Sequence, residues 1–519
     1  MKTQTLQRLS GPLLLLALTA VGQAQFNFTT NDTGITITGY TGSGGNETIP
    51  DKITDLPVTR IGGYAFFNQT NLTGITIPHS VTTIDVSAFY FCDGLTNATL
   101  GNNTVSIGSW AFCHCDNLTQ VALGTNVSTL GSWAFQNCPS LTEITIPDTV
   151  TNLGAAAFAY CTSLTNVTIP KSVVSIGAGP FAACTNLDSI AVDPLNPAYR
   201  SVEGVLFNHA QTALIQFPAG RATSSYPIPN GVCRIGGSAF YNAAHLADVF
   251  IPASVTSIEG QAFRYCSGLT SVTIPGNVTN VGMAAFAACT SLTAITVDVL
   301  NSTYSSTDGV LFDHNQKTLL QYPAGKIGGR YTIPAGVTSI GGSAFFFCTS
   351  LTNVTIPNSV MSIWNWAFSS CSNLANVTIP ASVTNIGNST FQNCPGLTGI
   401  YFTGNAPSLG SSTFSGDDNA TVYFLPGTGD WGATFGGRLA VLWNPQIQTG
   451  EASFGIQANQ FGFNITGNPN LPVVVEACAD LAHPVWSPLQ SFTLADGSFK
   501  FSDSESALHP RQFYRLHWP

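Results

Sequence analysis

The chain has 519 residues, 44% of them apolar and only 8% charged, with a formal net charge of −10. A chain this apolar and this poor in charge is not disordered, since disorder requires low hydrophobicity with high charge. Sixteen basic residues spread along it make no stripe of the kind that binds nucleic acid. Fifty glycines and a large share of Thr, Ser and Asn take the place of charge. That composition suits a β-rich or solenoid protein with a neutral, hydroxyl-covered surface.

Residues 1–24 read as a secretory signal peptide. Lys2 and Arg8 supply the positive start, Pro12–Ala20 the apolar run, and Gly22-Gln23-Ala24 the small residues before the cleavage point. The run is too short to span a bilayer, which takes about 20 residues. No later run of that length appears, so the mature chain is expected to be exported, secreted or at the cell surface, without a transmembrane segment. Residues 25–48 lack the pattern that follows and are expected to cap it.

Residues 49–424 are a repeat array. Phe recurs every 23 residues at 66, 89, 112, 135, 158 and 181, then at 240, 263 and 286, then at 345, 368, 391 and 414. Ile-Pro pairs, such as Ile146-Pro147 and Ile169-Pro170, keep the same step. In one copy, Val150 to Ser172, Val167 and Ile169 share one face of a strand while Asn166 and Thr168 point the other way. Pro170 has no N–H and ends the strand. Gly154 permits a close approach, and Ala157-Phe158 fill the far side of the rung. A rung of 23 residues cannot bury its own apolar face, but stacked rungs can. We count thirteen.

The phrase VTSIGxxAFxxCTSLTxVTIPxS resembles the bacterial surface leucine-rich repeats of the BspA-like type. The resemblance implies a right-handed leucine-rich-repeat-like stack with a parallel β-sheet. It also implies an exported or surface protein that binds other proteins or cells. Two insertions break the register, 193–227 and 298–332. Each reads as a hairpin, with Gly204–Phe207, a turn at Asn208-His209 and Leu214–Phe217 in the first. The family commonly carries such hairpins, and these are expected to protrude from one edge. Residues 425–445 leave the period and are read as a cap or linker. Residues 446–519 alternate like strands, as in Phe461, Phe463 and Ile465, and are read as a small β-rich, sandwich-like module. It is similar to C-terminal modules ending in FYR on other exported bacterial repeat proteins.

Ten of the thirteen cysteines fall three residues after the repeat Phe, from Cys92 to Cys394. A column stacked in parallel is poor geometry for a disulfide, so these read as small buried hydrophobes. Cys233 and Cys478 stay unassigned. Cys113-His114-Cys115 lacks the second ligand pair of a zinc site. No nucleophile elbow, H-E-x-x-H, phosphate loop or dinucleotide fingerprint occurs. No catalytic, metal or cofactor residue is therefore assigned, and the chain is read as non-enzymatic.

Two surfaces are candidates for binding. One is the outward threonine column of the strands, including Thr145, Thr168, Thr355 and Thr378. Its hydroxyls suit a glycan or a protein, although Thr also favours strands for structural reasons. The other is a set of rings beside the Phe column: Trp110, Trp133, Tyr160, Tyr241, Tyr265, Phe346, Trp364 and Trp366. These read either as rim packing or as contact hot spots. The expected partner is a protein or glycan on a cell surface or matrix, met by a monomer. The alternative is a carbohydrate-binding protein or enzyme whose activity lies in 446–519.

Overall fold

The computed structural model describes residues 25–457, 459–509 and 511–518; the signal-peptide segment 1–24 lies outside them. The chain divides into two compact units, Met1–Gly309 and Val310–Pro519. Each is built as a β-solenoid, and the described residues contain no α-helix, only a single 3-10 turn at Ser506–Leu508.

Every rung has three sides. In the copy from Val150, the first is the two-residue strand Asn152–Leu153, paired in parallel with Thr129–Leu130 before it and Ser175–Ile176 after it, each 23 residues away. The second is a stack of tight turns carrying Ala157, Phe158 and Cys161, all fully buried. The third is the longer strand Asn166–Ile169, which ends where Pro170 begins. Val167 and Ile169 face the core, while Asn166 and Thr168 face solvent. The repeat thus meets its expected period on all sides.

The Phe column forms a continuous file. In the first unit the ring centroids of Phe66, Phe89, Phe112, Phe135, Phe158 and Phe181 lie 4.7, 4.9, 5.1, 5.4 and 5.8 Å apart. In the second, Phe345, Phe368, Phe391 and Phe414 lie 4.7, 5.2 and 5.8 Å apart. The spacing starts near that of hydrogen-bonded strands, about 4.8 Å, and opens along each block. Phe26 and Tyr40 of the N-terminal hairpin Phe26–Asn31/Gly34–Tyr40 close the first file by packing on Phe66.

The insertions do not protrude. In the first, Val205–Asn208 and Ala213–Gln216 form the expected antiparallel hairpin, and a further strand, Tyr199–Val202, pairs outside it. Ala213 and Leu214 then pair in parallel with Arg234 and Ile235, inside the two-residue ladder. Leu206, Phe207 and Leu214 are fully buried, and Phe217 stacks on Phe240 at 5.0 Å. The hairpin's second strand is itself a rung, because GVLF and ALIQF are apolar enough to belong in the core. In the second unit Val310–Asp313 and Thr318–Gln321 repeat this, with Tyr322 stacked on Phe345. The segment leading into each hairpin closes the block before it. Asn196, buried, donates to the Pro170 and Val173 carbonyls, and the Tyr199 hydroxyl accepts the Ile176 N–H at 2.9 Å. Asn301 and Tyr304 do the same with Pro275, Val278 and Val281.

In the second unit the parallel ladder runs on through Thr421–Phe424 to Arg438–Leu442. Two antiparallel sheets follow. Gln460–Thr466 is central to one and Leu471–Cys478 to the other. Their core residues Phe463, Ile465, Val473 and Val475 pack with Tyr401, Tyr423 and Trp443 of the last rungs.

Candidate functional site

The side chains displayed along the turn stack are set by its backbone. In all thirteen rungs the residues two before and two after the repeat Phe have positive φ, for example Trp110 (55°) and His114 (56°) around Phe112. Only two of them are glycine, Gly179 and Gly416. Left-handed backbone costs an L-residue roughly 1–2 kcal/mol, and the compensation is visible in the hydrogen bonds. Alternate N–H groups close turns within the rung, such as Ala111 to Gly108 O and Cys113 to Trp110 O. The others donate to the next rung: Trp110 to Ser132 O (3.0 Å), Phe112 to Ala134 O (2.8 Å) and His114 to Gln136 O (3.0 Å). Leaving any of them unmade would orphan a buried donor.

The glycine of the IG pair has a different role. At Gly108, Gly131 and Gly154 an added Cβ would come within 2.6 Å of the preceding rung's backbone. Where Asp85 and Glu259 stand instead, each carboxylate is paired with an arginine 25 residues earlier. Arg60 contacts Asp85 through two nitrogens at 2.6 and 2.5 Å, and Arg234 reaches Glu259 at 2.9 Å.

The predicted rings fall into separate groups. Trp110 and Trp133 stack face to face, 4.6 Å apart and 5° from parallel, with Trp110 exposed. Small residues, Ser87 and Ala156, flank them in the column. Tyr64 and Phe67, both exposed, continue the surface. Phe67 meets Tyr90 and Phe91, and Phe91 stacks on the His114 imidazole at 4.6 Å. His114 Nδ1 lies 2.7 Å from the Asn137 amide nitrogen. The result is an aromatic ribbon over four successive rungs of the first unit. Phe91 was not singled out from sequence, and His114 only within Cys113-His114-Cys115; the column two after Phe, free of β-branched residues throughout, carried the signal.

Tyr160, Tyr241 and Tyr265 form a different group. Tyr241 is buried against Ala159, Ala182 and Ala183, and its hydroxyl meets that of Tyr160 at 2.5 Å. Burial pushes the Tyr241 phenol well above its usual range. These rings pack the rim where the first insertion interrupts the rungs. Phe346 is also buried, whereas Trp364 and Trp366 are exposed in the second unit.

Thr145, Thr168 and Thr355 are exposed on the strand face and Thr378 is half-buried. Thr273 and Thr296 show how such neighbours bond, with hydroxyl oxygens 2.8 Å apart. The face is interrupted in the first unit. Gln120–Ala122 pairs with Asn97–Thr99, and Asn166–Ile169 with Ser189–Val192, but the rung between, Glu143 to Ile146, pairs with neither.

The column thiols make poor nucleophiles. All thirteen cysteines are free, and only Cys233 is exposed. Each column thiol but one reaches a carbonyl of the preceding rung at 2.9–3.3 Å, as Cys115 does Phe89 O; Cys348 is farther, at 3.9 Å from Tyr322 O. They therefore act as donors as well as fillers. Burial pushes Cys92 and Cys184 up to about 12. Among the described residues no group of three or more His, Cys, Asp or Glu is placed to hold a metal ion. No helix among them is long and apolar enough to cross a membrane. The C-terminal sheets carry a cavity of about 360 Å³ beside Phe461, Ser506, His509 and Tyr514.

The model of the BspA type leucine rich repeat region matches residues 48–165, 151–226, 216–318 and 329–428. The chain belongs to this family. The BspA-type rungs are similar to those of several solved structures. A leucine-rich repeat protein from Eubacterium ventriosum is 24% identical over 70% of this chain and 91% of its own, with a TM-score of 0.47. A leucine rich cell surface protein from Faecalibacterium prausnitzii is 26% identical over 78% and 94%, with a TM-score of 0.33. The pneumococcal vaccine antigen PcpA is 19% identical over 73% and 92%, with a TM-score of 0.43. A search of curated proteins finds no match.

Proposed function

We propose that this BspA-type chain is a non-catalytic binding scaffold, exported or displayed at the cell surface, that engages a protein or glycan through the aromatic ribbon of its first unit. The observation that carries this reading is the run of outward rings from Tyr64 and Phe67 through Trp110 and Trp133; in the column of Tyr64, Trp110 and Trp133 most other rungs hold Ser or Ala. Exposed Trp and Tyr on a rigid frame give large contact area at small entropic cost, and such residues dominate binding hot spots. The rungs fix the ring spacing through the hydrogen bonds between turns. The ribbon itself carries little charge, so binding there gains little from Coulomb attraction and should vary weakly with salt.

The test is the full chain on a glycan array and against purified extracellular-matrix proteins, with Trp110→Ala/Trp133→Ala beside it. Alanine keeps the left-handed backbone that Ala156 already adopts in this column. The double variant should lose at least tenfold in affinity, about 1.4 kcal/mol, while Thr168→Ala binds as the parent does. Equal binding by the double variant and the parent would refute the ribbon as the contact.

A further inference from the structure

The interruption of the strand face is a second place where the first unit can bind. Along the earlier rungs the ladder is closed by a repeated bond: Thr96 N–H to Thr73 O at 2.8 Å and Thr119 N–H to Thr96 O at 2.9 Å. The next two members, Thr142 to Thr119 and Thr165 to Thr142, are not made, and the ladder resumes with Asp188 to Thr165 at 3.3 Å. The N–H groups of Thr142, Glu143, Ile144, Thr145 and Ile146, and their carbonyls, have no partner among the described residues. The segment thus occupies a strand position with both backbone edges open, whereas the corresponding strands of the other rungs pair on at least one side.

Grooves lie on both sides. The larger, between this segment and Gln120–Ala122, has a volume of about 720 Å³, within the range of ligand sites, about 300–1,000 Å³. The smaller, toward Asn166–Ile169, has about 370 Å³. Val121 and Leu123 are only half-buried beside the larger groove, and Ile144 and Ile146 are less buried than Val167 and Ile169. The groove therefore has an apolar floor. Its rim is acidic: Glu143 and Asp148 border both grooves, and Asp193 borders the smaller. One base answers them, Lys171, 3.6 Å from Asp148 with both side chains exposed.

We infer that the open ladder at Glu143–Ile146 receives an extended peptide strand, with alternating apolar and basic side chains, by β-augmentation. An unpaired strand edge is a template for main-chain hydrogen bonds, and pockets for alternate side chains give specificity. A strand in the larger groove sets every second side chain on the floor formed by Val121 and Leu123. The others point outward beside Glu143 and Asp148, where Lys or Arg is favoured. A glycan would use the hydroxyls but not the period of the exposed amides. This site is separate from the aromatic ribbon and does not depend on it.

The probe is a capped, fluorescein-labelled octapeptide of alternating Lys and Val, titrated into the full chain and read by anisotropy. Saturable binding is expected. It should weaken at least tenfold when alternate amides of the peptide are N-methylated. A several-fold loss is expected with Glu143→Gln/Asp148→Asn, and likewise in 0.5 M salt. Trp110→Ala/Trp133→Ala should bind the peptide unchanged, which separates this site from the ribbon. Hydrogen exchange on the unmodified chain gives an independent reading. The amides of Glu143, Ile144, Thr145 and Ile146 should exchange far faster than that of Ala98, and slow at least tenfold with peptide bound. Absence of binding at millimolar peptide, equal binding of the N-methylated peptide, or amides at 143–146 already as protected as Ala98 would each overturn the inference.

Discussion

Truncating one ring in the Phe file tests the structural claim on which both proposed binding surfaces rest. Phe135 is fully buried, with its ring 5.1 Å from Phe112 and 5.4 Å from Phe158, both within 4° of parallel. Phe135→Ala removes both stacks and leaves a void that neither neighbour can fill, because each ring is held in its own rung by turn and ladder bonds. Core Phe→Ala changes cost about 3–5 kcal/mol. The upper half of that range is expected here, since the rigid rungs limit collapse. In a repeat array the loss falls on the two interfaces of the altered rung. The assay is urea unfolding of the full chain with hydrogen exchange resolved over 112–158, beside Thr168→Ala as an exposed control expected to change stability by less than about 0.5 kcal/mol. Protection should collapse around 135 and remain in 345–414. A loss below about 1 kcal/mol, or one equal to that of the control, would refute the continuous spine.

Two further predictions concern single positions. Asp417 occupies the cysteine register in the last rung, buried, with one oxygen accepting the Cys394 N–H at 2.6 Å and the other unpartnered. Burial raises its pKa from 3.8 to about 7. The folded chain then binds the proton more tightly than the unfolded one, so stability should fall as pH rises from about 4 to about 7 and level off above. Asp417→Asn should flatten that slope in pH-dependent thermal melts of the second unit; an unchanged slope contradicts the assignment. Ala156, at φ 51°, tests the left-handed column. Ala156→Val should destabilise by about 1–2 kcal/mol and Ala156→Gly should be neutral or stabilising, and urea midpoints that reverse this order would show that the column tolerates branching.

Much of the scaffold was legible in the sequence. The step of 23, the inward Val167 and Ile169, the stop at Pro170 and the free cysteine column follow from periodicity, because each rung must place the same residue on the same neighbour. Tyr64, Trp110 and Trp133 were visible as large residues in a column that is mostly Ser or Ala. The division of the rings was not. Tyr160, Tyr241 and Tyr265 form a packed rim, with only Tyr241 fully enclosed, because the first insertion brings rungs 81 residues apart into contact, and nothing local to those tyrosines encodes that.

The sequence by itself determined what repeats: the rung, its buried residues, its turn chemistry and the places where the register breaks. Tertiary structure decided what departs from repetition. It took the insertions into the core where the sequence pointed outward, since a strand with apolar residues on both sides is more stable inside a stack than in water. It also left the ladder open at Glu143, in a segment whose TEITIP pattern matches its paired neighbours. Strand pairing depends on the spacing between rungs, and spacing is summed over the whole block and not written in any one copy.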